Sequence, residues 1–322
     1  MKQVVILESL GVSREMLEEL KKPFAGRAEF AEYEKTLDVE TLAREAGEAD
    51  AVILANMPLP GAVIDRCPRL SFIDIAFTGV DHVDIAAARR RGIQVSNASG
   101  YSTQAVAELT VGMMLSLLRL LPQAEARARS GGDKTGLLGG ELGGKTVGII
   151  GYGKIGRRTG ELLRAFGCEI LAQCRRVHED FPDYVAQVSQ EELLRRSDIV
   201  ALHCPLNDST RGMIDRQKLA LMKPTAYIIN TARGPIINEP DLIEALQQEK
   251  IAGAGLDTYC VEPLGADSPL LSMDNVVTTP HCGGNTVDND INMAAICMEN
   301  IAAYDATGDK TMRCFVNREF LK

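Results

Sequence analysis

The sequence predicts an α/β protein made of two doubly wound parallel-sheet domains with a cleft between them. Three observations carry that expectation. Short apolar runs alternate with helical stretches through the first hundred residues and again beyond residue 145. That order builds a parallel sheet with helices on both faces. The chain of 322 residues is longer than the ~250 at which a single core stops growing. Where the two series meet stands STQAVAELTVGMMLSLLRLL (102–121), hydrophobic on most sides and so expected to be a helix buried between layers.

In the first series QVVIL (3–7) reads as a strand, SREMLEELKKPF (13–24) and ETLAREAGE (40–48) as helices, and ADAVILAN (49–56) as a strand. LSFIDIAF (70–77) follows as a strand, and VDIAAARRRG (83–92) as a helix stopped by its glycine. A glycine-rich loop, GLLGGELGGK (136–145), opens the second series. Its strands are VGII (147–150), EILAQC (169–174), DIVALHC (198–204), AYIINTA (226–232), AGLDTY (254–259) and NVVTTP (275–280). Helices are expected at 155–166, 189–197, 215–222 and 239–250, the last capped by Asn238. A final helix near 287–306 precedes a short tail, and no internal repeat is visible.

Composition narrows the function. With 45% apolar and 25% charged residues the chain is an ordinary globular protein. Its net charge of −9 opposes binding to nucleic acid or an anionic membrane, which need clustered Lys and Arg. The start, MKQVVILESL, has too short an apolar run before Glu8 for a signal peptide. The longest apolar stretch, VGMMLSLLRLL (111–121), is broken by Arg119 and falls short of a membrane span. Eight cysteines lie scattered without a C-x-x-C pair, so neither a metal site nor a disulfide framework is expected. Reduced thiols in a cytoplasmic protein fit that pattern.

VGIIGYGKIG (147–156) carries Gly151, Gly153 and Gly156 between an apolar strand and a helix, the Rossmann-like dinucleotide fingerprint in its proper context. Gly151 permits the tight turn, Gly153 lets backbone approach a pyrophosphate, and Gly156 lets the helix pack on the strand. Lys154 and Ile155 begin the helix whose N-terminal N–H groups face the anion.

Three later strand ends carry side chains suited to chemistry. NTARGP (230–235) holds Arg233, DTYCVEP (257–263) holds Glu262, and TPHCGG (279–284) holds His281. Singly, Arg233 reads equally as a surface ion-pair partner, Glu262 as a solvated carboxylate, and His281 as a structural histidine. Together they make sense as one device. An arginine grips a carboxylate through two parallel hydrogen bonds. A histidine passes a proton to a carbonyl near neutral pH, and a neighbouring glutamate favours its protonated form. With a hydride-carrying dinucleotide, that set interconverts a 2-oxo acid and a 2-hydroxy acid.

The chain resembles the D-isomer-specific 2-hydroxyacid dehydrogenases over most of its length. The likeness runs from TGVDHVDIAAARRRGIQVSNASG (78–100) through VAE (106–108), the glycine turn, LHCPLNDSTRGMI (202–214), NTARGPIINEPDLIEAL (230–246) and GLDTYCVEPL (255–264) to TTPHCGG. The resemblance implies a discontinuous, flavodoxin-like substrate domain (1–100 and 287–322), an inserted dinucleotide domain (101–286), an active site in the cleft, and a homodimer joined through the dinucleotide domain. It implies Arg233 as binder of the substrate carboxylate and carbonyl, His281 as acid/base and Glu262 as its partner. Asp257 is expected near the nicotinamide carboxamide, with Cys204, Pro205, Thr210, Thr231, Ala232 and Gly283 lining the cofactor cleft. The backbone of Thr78, Gly79 and Val80 is expected to take the carboxylate from the substrate domain.

Relatives acting on 3-phosphoglycerate are similar, but the basic positions of that subgroup fall on Ala55 and Ile75. Tyr101 resembles enzymes for glyoxylate, hydroxypyruvate or D-lactate/pyruvate, so a small unphosphorylated 2-oxo acid is expected. A D-3-phosphoglycerate dehydrogenase-like enzyme is the alternative. The formate-oxidising branch pairs its histidine with glutamine, against Glu262. A nicotinamide-sensing scaffold like the C-terminal binding protein corepressors shares the trio, but no extended disordered tail stands here. The slot where an NAD-specific site carries its ribose-binding acid falls on Cys174, followed by Arg175 and Arg176. Charge-assisted bonds from those arginines to a 2′-phosphate favour NADP(H) over NAD(H). A solvated basic pair is the plainer alternative.

Overall fold

The computed structural model describes residues 1–174, 181–307 and 316. The chain divides into two units, residues 1–102 with 285–322 and residues 103–284. The junctions expected at 100/101 and 286/287 thus fall at 102/103 and 284/285. In chain order the first unit runs β1 (Lys2–Ile6), α1 (Arg14–Lys21), β2 (Ala28–Glu32), α2 (Val39–Ala46), β3 (Ala51–Leu54), α3 (Gly61–Ile64), β4 (Phe72–Ile75), α4 (Ile85–Arg90) and β5 (Gln94–Asn97). The second runs α5 (Thr103–Leu118), α6 (Leu121–Arg129), β6 (Thr146–Ile150), α7 (Lys154–Ala165), β7 (Glu169–Gln173), β8 (Val185–Gln187), α8 (Gln190–Arg196) and β9 (Ile199–Leu202). It continues through α9 (Arg216–Leu219), β10 (Tyr227–Asn230), α10 (Glu239–Gln247), β11 (Gly253–Leu256) and β12 (Val276–Thr278), and α11 (Val287–Thr307) returns to the first unit.

Among the described residues every strand pairing is parallel. The first sheet has the order β2-β1-β3-β4-β5 and the second β12-β11-β10-β9-β6-β7-β8, so both are doubly wound and the second has the Rossmann arrangement. Central strands such as AVIL of β3 and IVAL of β9 are buried at every residue, as a sheet covered on both faces demands. Six helices start on a side chain that takes the amide three residues on: Ser13, Asp38, Asp84, Ser189, Asp215 and Asn238. Each such cap contributes about 1 kcal/mol.

The chain's far end joins the first core through α11. Met293, Cys297, Ile301 and Tyr304 are buried at one-turn spacing. The Tyr304 ring stacks on Phe72 of β4, centroids 4.5 Å apart, adding roughly 0.5–1.5 kcal/mol beyond its area.

Some expectations need correction. The helix expected over 102–121 ends at Leu118, because Leu120 turns left-handed (φ 52°) and α6 leaves with Pro122 in its first turn. The helix expected at 215–222 is the single turn Arg216–Leu219. Strands β2, β5 and β8 were not foreseen. No single helix among the described residues is long and apolar enough to cross a membrane; α5 and α6 pass that test only as a pair bent by 63°.

Candidate active site

The order of the second sheet reverses between β6 and β9, and sheets of this kind collect ligands beyond the strand ends at such a point. The glycine turn leaves β6 there. Gly151 has φ 98°, and a Cβ on it would lie 2.5 Å from the Cys204 amide nitrogen, so glycine is required twice over. A Cβ on Gly156 would run into the Gly151 carbonyl oxygen. Gly153 is different. Its φ is −83° and a Cβ would touch nothing within 4 Å; no neighbouring protein atom requires glycine there. No side chain caps α7 at this residue, and Gly153 and Lys154 are exposed with Ile155 half-buried. Open space at a helix N-terminus fits a pyrophosphate.

His203 and Cys204 form the facing lip. The His203 amide donates to Ile150 O (2.8 Å), and its Nε2 lies 3.1 Å from Thr159 Oγ1 on α7. Burial pushes its pKa down to about 4, so the ring stays neutral and ties β9 to α7. Burial likewise pushes the Cys204 thiol up to about 11, which keeps it protonated and unreactive. Thr210 Oγ1 donates to Pro205 O (2.7 Å) and accepts from the Asn207 amide (2.8 Å), closing that loop. The Thr231 hydroxyl meets Thr110 Oγ1 of α5 at 2.9 Å. Both expected lining hydroxyls are therefore engaged within the protein. Cys174 is half-buried and accepts from Gln187 Nε2 at 3.5 Å; Arg175 and Arg176 lie outside the described residues.

The expected trio sits on three neighbouring loops, each braced from behind. After β10, the buried side chain of Asn230 accepts from the Ala232 amide (3.1 Å) and donates to Arg233 O (3.0 Å). Arg233 is half-buried, its Nη1 donating to Ala232 O at 2.8 Å. The next residue, Gly234, lies so close to the Tyr259 backbone that a Cβ could not fit. This contact sets the Arg233 loop against the loop that follows β11. There Glu262 Oε1 accepts from the Tyr259 amide (3.0 Å) and Oε2 meets His281 Nδ1 at 2.7 Å. With both carboxylate oxygens held, the imidazole is aimed and Nε2 is left for a ligand.

His281 adopts φ 54°, a left-handed conformation costing about 1–3 kcal/mol in a residue other than glycine. Asp257 holds it there. Its buried carboxylate accepts from the Cys282 amide (2.8 Å), the Gly283 amide (2.8 Å) and Thr279 Oγ1 (2.5 Å). A Cβ on Gly283 would lie 2.9 Å from Asp257 Oδ2. The Tyr259 hydroxyl, pushed up to about 12 by burial, lies 2.9 Å from both Leu256 O and Thr279 O. His281 and Glu262 remain about one-third exposed.

In the first unit, Thr78 is exposed and Gly79 and Val80 are half-buried in the loop after β4, while Tyr101 is buried with its ring 5.7 Å from Phe77. Sequence reasoning missed Asn230, Tyr259 and Thr279 as braces. Asn230 had a local signal, an asparagine at a strand end bonding its own backbone two residues on. The bonds from the Tyr259 hydroxyl to Thr279 O and from Thr279 Oγ1 to Asp257 span twenty residues or more and have no local signature, whereas the Tyr259 amide reaches Glu262 only three residues on.

A family model described as "D-isomer specific 2-hydroxyacid dehydrogenase, NAD binding domain" matches residues 111–283. A glyoxylate reductase of Aeropyrum pernix is 39% identical over 294 residues, covering 88% of this chain and 87% of that protein. A D-3-phosphoglycerate dehydrogenase of Methanocaldococcus jannaschii is 38% identical over 82% of this chain but only 51% of its own length. The crystal structure of a glyoxylate reductase from Paecilomyes thermophila superposes with a TM-score of 0.90 at 27% identity, covering 99% of each chain.

Proposed function

The chain belongs to the D-isomer-specific 2-hydroxyacid dehydrogenases, NAD(P)-dependent oxidoreductases, and on that premise we propose that it reduces a small unphosphorylated 2-oxo acid of the glyoxylate, hydroxypyruvate or pyruvate type. The observation that carries this reading is the His281–Glu262 pair, 2.7 Å apart, on loops adjoining that of Arg233 at the ligand-collecting edge of the second sheet.

When bound, the dinucleotide supplies the hydride. Gly151, Gly153, Lys154, Ile155 and Gly156 would hold its pyrophosphate, and the loops at Cys204–Thr210, Thr231–Ala232 and Gly283 would line its site. Arg233 grips the carboxylate and carbonyl of the acid with its planar guanidinium. His281 delivers a proton from Nε2 to the carbonyl oxygen, and Glu262 accepts at Nδ1 to orient the ring. In the reverse direction the same nitrogen takes the proton back. The resemblance supports the backbone of Thr78, Gly79 and Val80 as a further candidate binder of a substrate carboxylate.

Ala55 and Ile75 are neutral and buried, which supports an acid without a phosphate. A phosphorylated acid is the second reading, favoured by the likeness to the phosphoglycerate enzyme. For the nucleotide, the neutral Cys174 ahead of Arg175 and Arg176 supports NADP(H). A homodimer through the second unit is supported by α6, which buries none of its residues, and by Leu121 and Leu138, 50% and 93% exposed. A cytoplasmic setting is supported by the seven described cysteines, all free.

The test is turnover, followed as loss of reduced-nicotinamide absorbance, on glyoxylate, hydroxypyruvate, pyruvate and 3-phosphohydroxypyruvate with NADPH and with NADH. Unphosphorylated acids should turn over fastest, with NADPH preferred and the preference lost in Arg175→Ala/Arg176→Ala. Nucleotide binding without turnover on any acid would leave a scaffold instead.

A further inference from the structure

The loop that follows β4 in the first unit is held by a side chain from another strand. Asn97, the last residue of β5, donates from Nδ2 to the Thr78 carbonyl (2.8 Å) and accepts at Oδ1 from the Ser99 amide (3.3 Å). One amide group therefore ties the 78–80 loop to the turn that leads into Tyr101. Asn97 is itself anchored. Its carbonyl accepts from Asn300 Nδ2 (3.3 Å), and the same nitrogen donates to Asp74 Oδ1 (2.9 Å). Asn300 is 4% exposed on α11 and Asp74 is fully buried in β4.

Apolar residues would pack α11 on the sheet without the desolvation penalty of a buried carboxyl and amide. A connected polar network instead fixes geometry. The geometry at stake is that of one peptide. Thr78 C=O and Gly79 N–H belong to the same rigid plane and point in opposite directions. Whatever holds the carbonyl oxygen also sets the direction of the Gly79 N–H.

We infer that Asn97, backed by Asn300 and Asp74, is a positioning residue that aims the Gly79 N–H at the substrate carboxylate. This rests on the reading that the 78–80 backbone receives that carboxylate. Asn97 acts through the peptide and needs no contact with the acid.

The experiment compares KM, kcat, nucleotide Kd and Tm in Asn97→Ala, Asn97→Asp, Asn300→Ala and Gly79→Val, using whichever of glyoxylate, hydroxypyruvate or pyruvate turns over fastest. Asn97→Ala should raise KM for the acid by about tenfold, the scale of one lost hydrogen bond, with nucleotide Kd unchanged. Asn97→Asp keeps the Ser99 bond but sets a carboxylate against the Thr78 carbonyl, so its KM should rise further. Asn300→Ala should raise KM less than either. A merely structural role would lower Tm and the active fraction and leave KM alone. Gly79→Val separates two kinds of failure. If it raises KM while the Asn97 variants do not, the positioning role is overturned and the loop's role survives. If Gly79→Val itself leaves KM unchanged, the reading of the loop falls and the inference with it. Should Asn97→Asp fail to fold, Asn97→Ser, with a shorter donor, should give a KM between wild type and alanine.

Discussion

Both sheets reverse their strand order once, between β1 and β3 in the first unit and between β6 and β9 in the second. At the first of these points the protein fills the crevice itself. Glu8 Oε1 accepts from the amides of Ala55 and Met57, both at 2.8 Å, and Oε2 lies 3.6 Å from Lys35 Nζ. Glu8 is 5% exposed. A carboxylate of the chain thus occupies the anion seat that the topology creates. At the second point the seat is lined by Gly153, whose absent side chain would have met nothing. On the proposed reading one topology gives a plugged crevice in one unit and a nucleotide seat in the other, with a side chain present in the first and withheld in the second.

The contrast extends to the neighbouring loops. In the second unit Asn230, Tyr259 and Asp257 hold loops that carry charged, partly exposed side chains, and His281 is kept in a strained conformation. In the first, the loop after β4 offers peptide groups braced by Asn97. The division implies that variants of the second unit's ligand-facing loops alter chemistry, nucleotide binding and the grip on the acid, while in the first unit Glu8 governs stability and the Asn97-braced loop substrate affinity.

The sharpest way to break that division is His281→Ala. It should cut kcat by about two to four orders of magnitude with nucleotide Kd nearly intact, since only a transition-state interaction is lost. A near-normal kcat would move the proton carrier elsewhere. Arg233→Gln should raise KM for the acid by about a hundredfold, the scale of truncating one partner of a desolvated charge pair. Arg233→Lys should fall between it and wild type. Matching kinetics in both variants would mean the carboxylate is held by other groups.

Glu8→Ala should destabilise the protein by about 2 kcal/mol, because two buried amides lose their acceptor. Glu8→Gln, which can still accept, should restore most of this. Urea unfolding measures it, and an unchanged midpoint in Glu8→Ala would show that the crevice is not held by that carboxylate. Smallest is Gly153→Ala, which should weaken nucleotide binding by about tenfold with little change in Tm. Gly156→Ala should instead lower Tm, since its Cβ runs into backbone.

Much of the second unit is legible in sequence because its determinants are local. The glycine turn lies within one strand–helix junction, and Asn238 caps α10 by accepting from the Asp241 amide three residues on. The Glu8 plug is illegible because its two acceptor bonds reach 47 and 49 residues along the chain. Strand β2, AEFAE, was missed because an edge strand with no fully buried residue lacks the apolar run that marked the central strands. Leu120 gave no warning of a break, since leucine rarely takes positive φ and the apolar run reads straight through it. The trio stands out as chemistry-bearing side chains at strand ends, whereas the Asp257 and Thr279 braces behind it depend on contacts that only folding creates; Asn230, bonded two and three residues on, is the local exception.

The proton is proposed to move through His281 while Glu262, 2.7 Å from its Nδ1, aims the ring. Turnover at saturating acid in wild type, Glu262→Gln and Glu262→Ala, with nucleotide Kd measured alongside, tests this most directly. Alanine leaves the imidazole without its brace, so kcat should fall by about tenfold or more, the scale of one lost hydrogen bond, with nucleotide Kd nearly intact. Glutamine keeps one acceptor oxygen and should fall between alanine and wild type. A wild-type kcat in Glu262→Ala would contradict this, since it would leave Glu262 with no part in aiming His281.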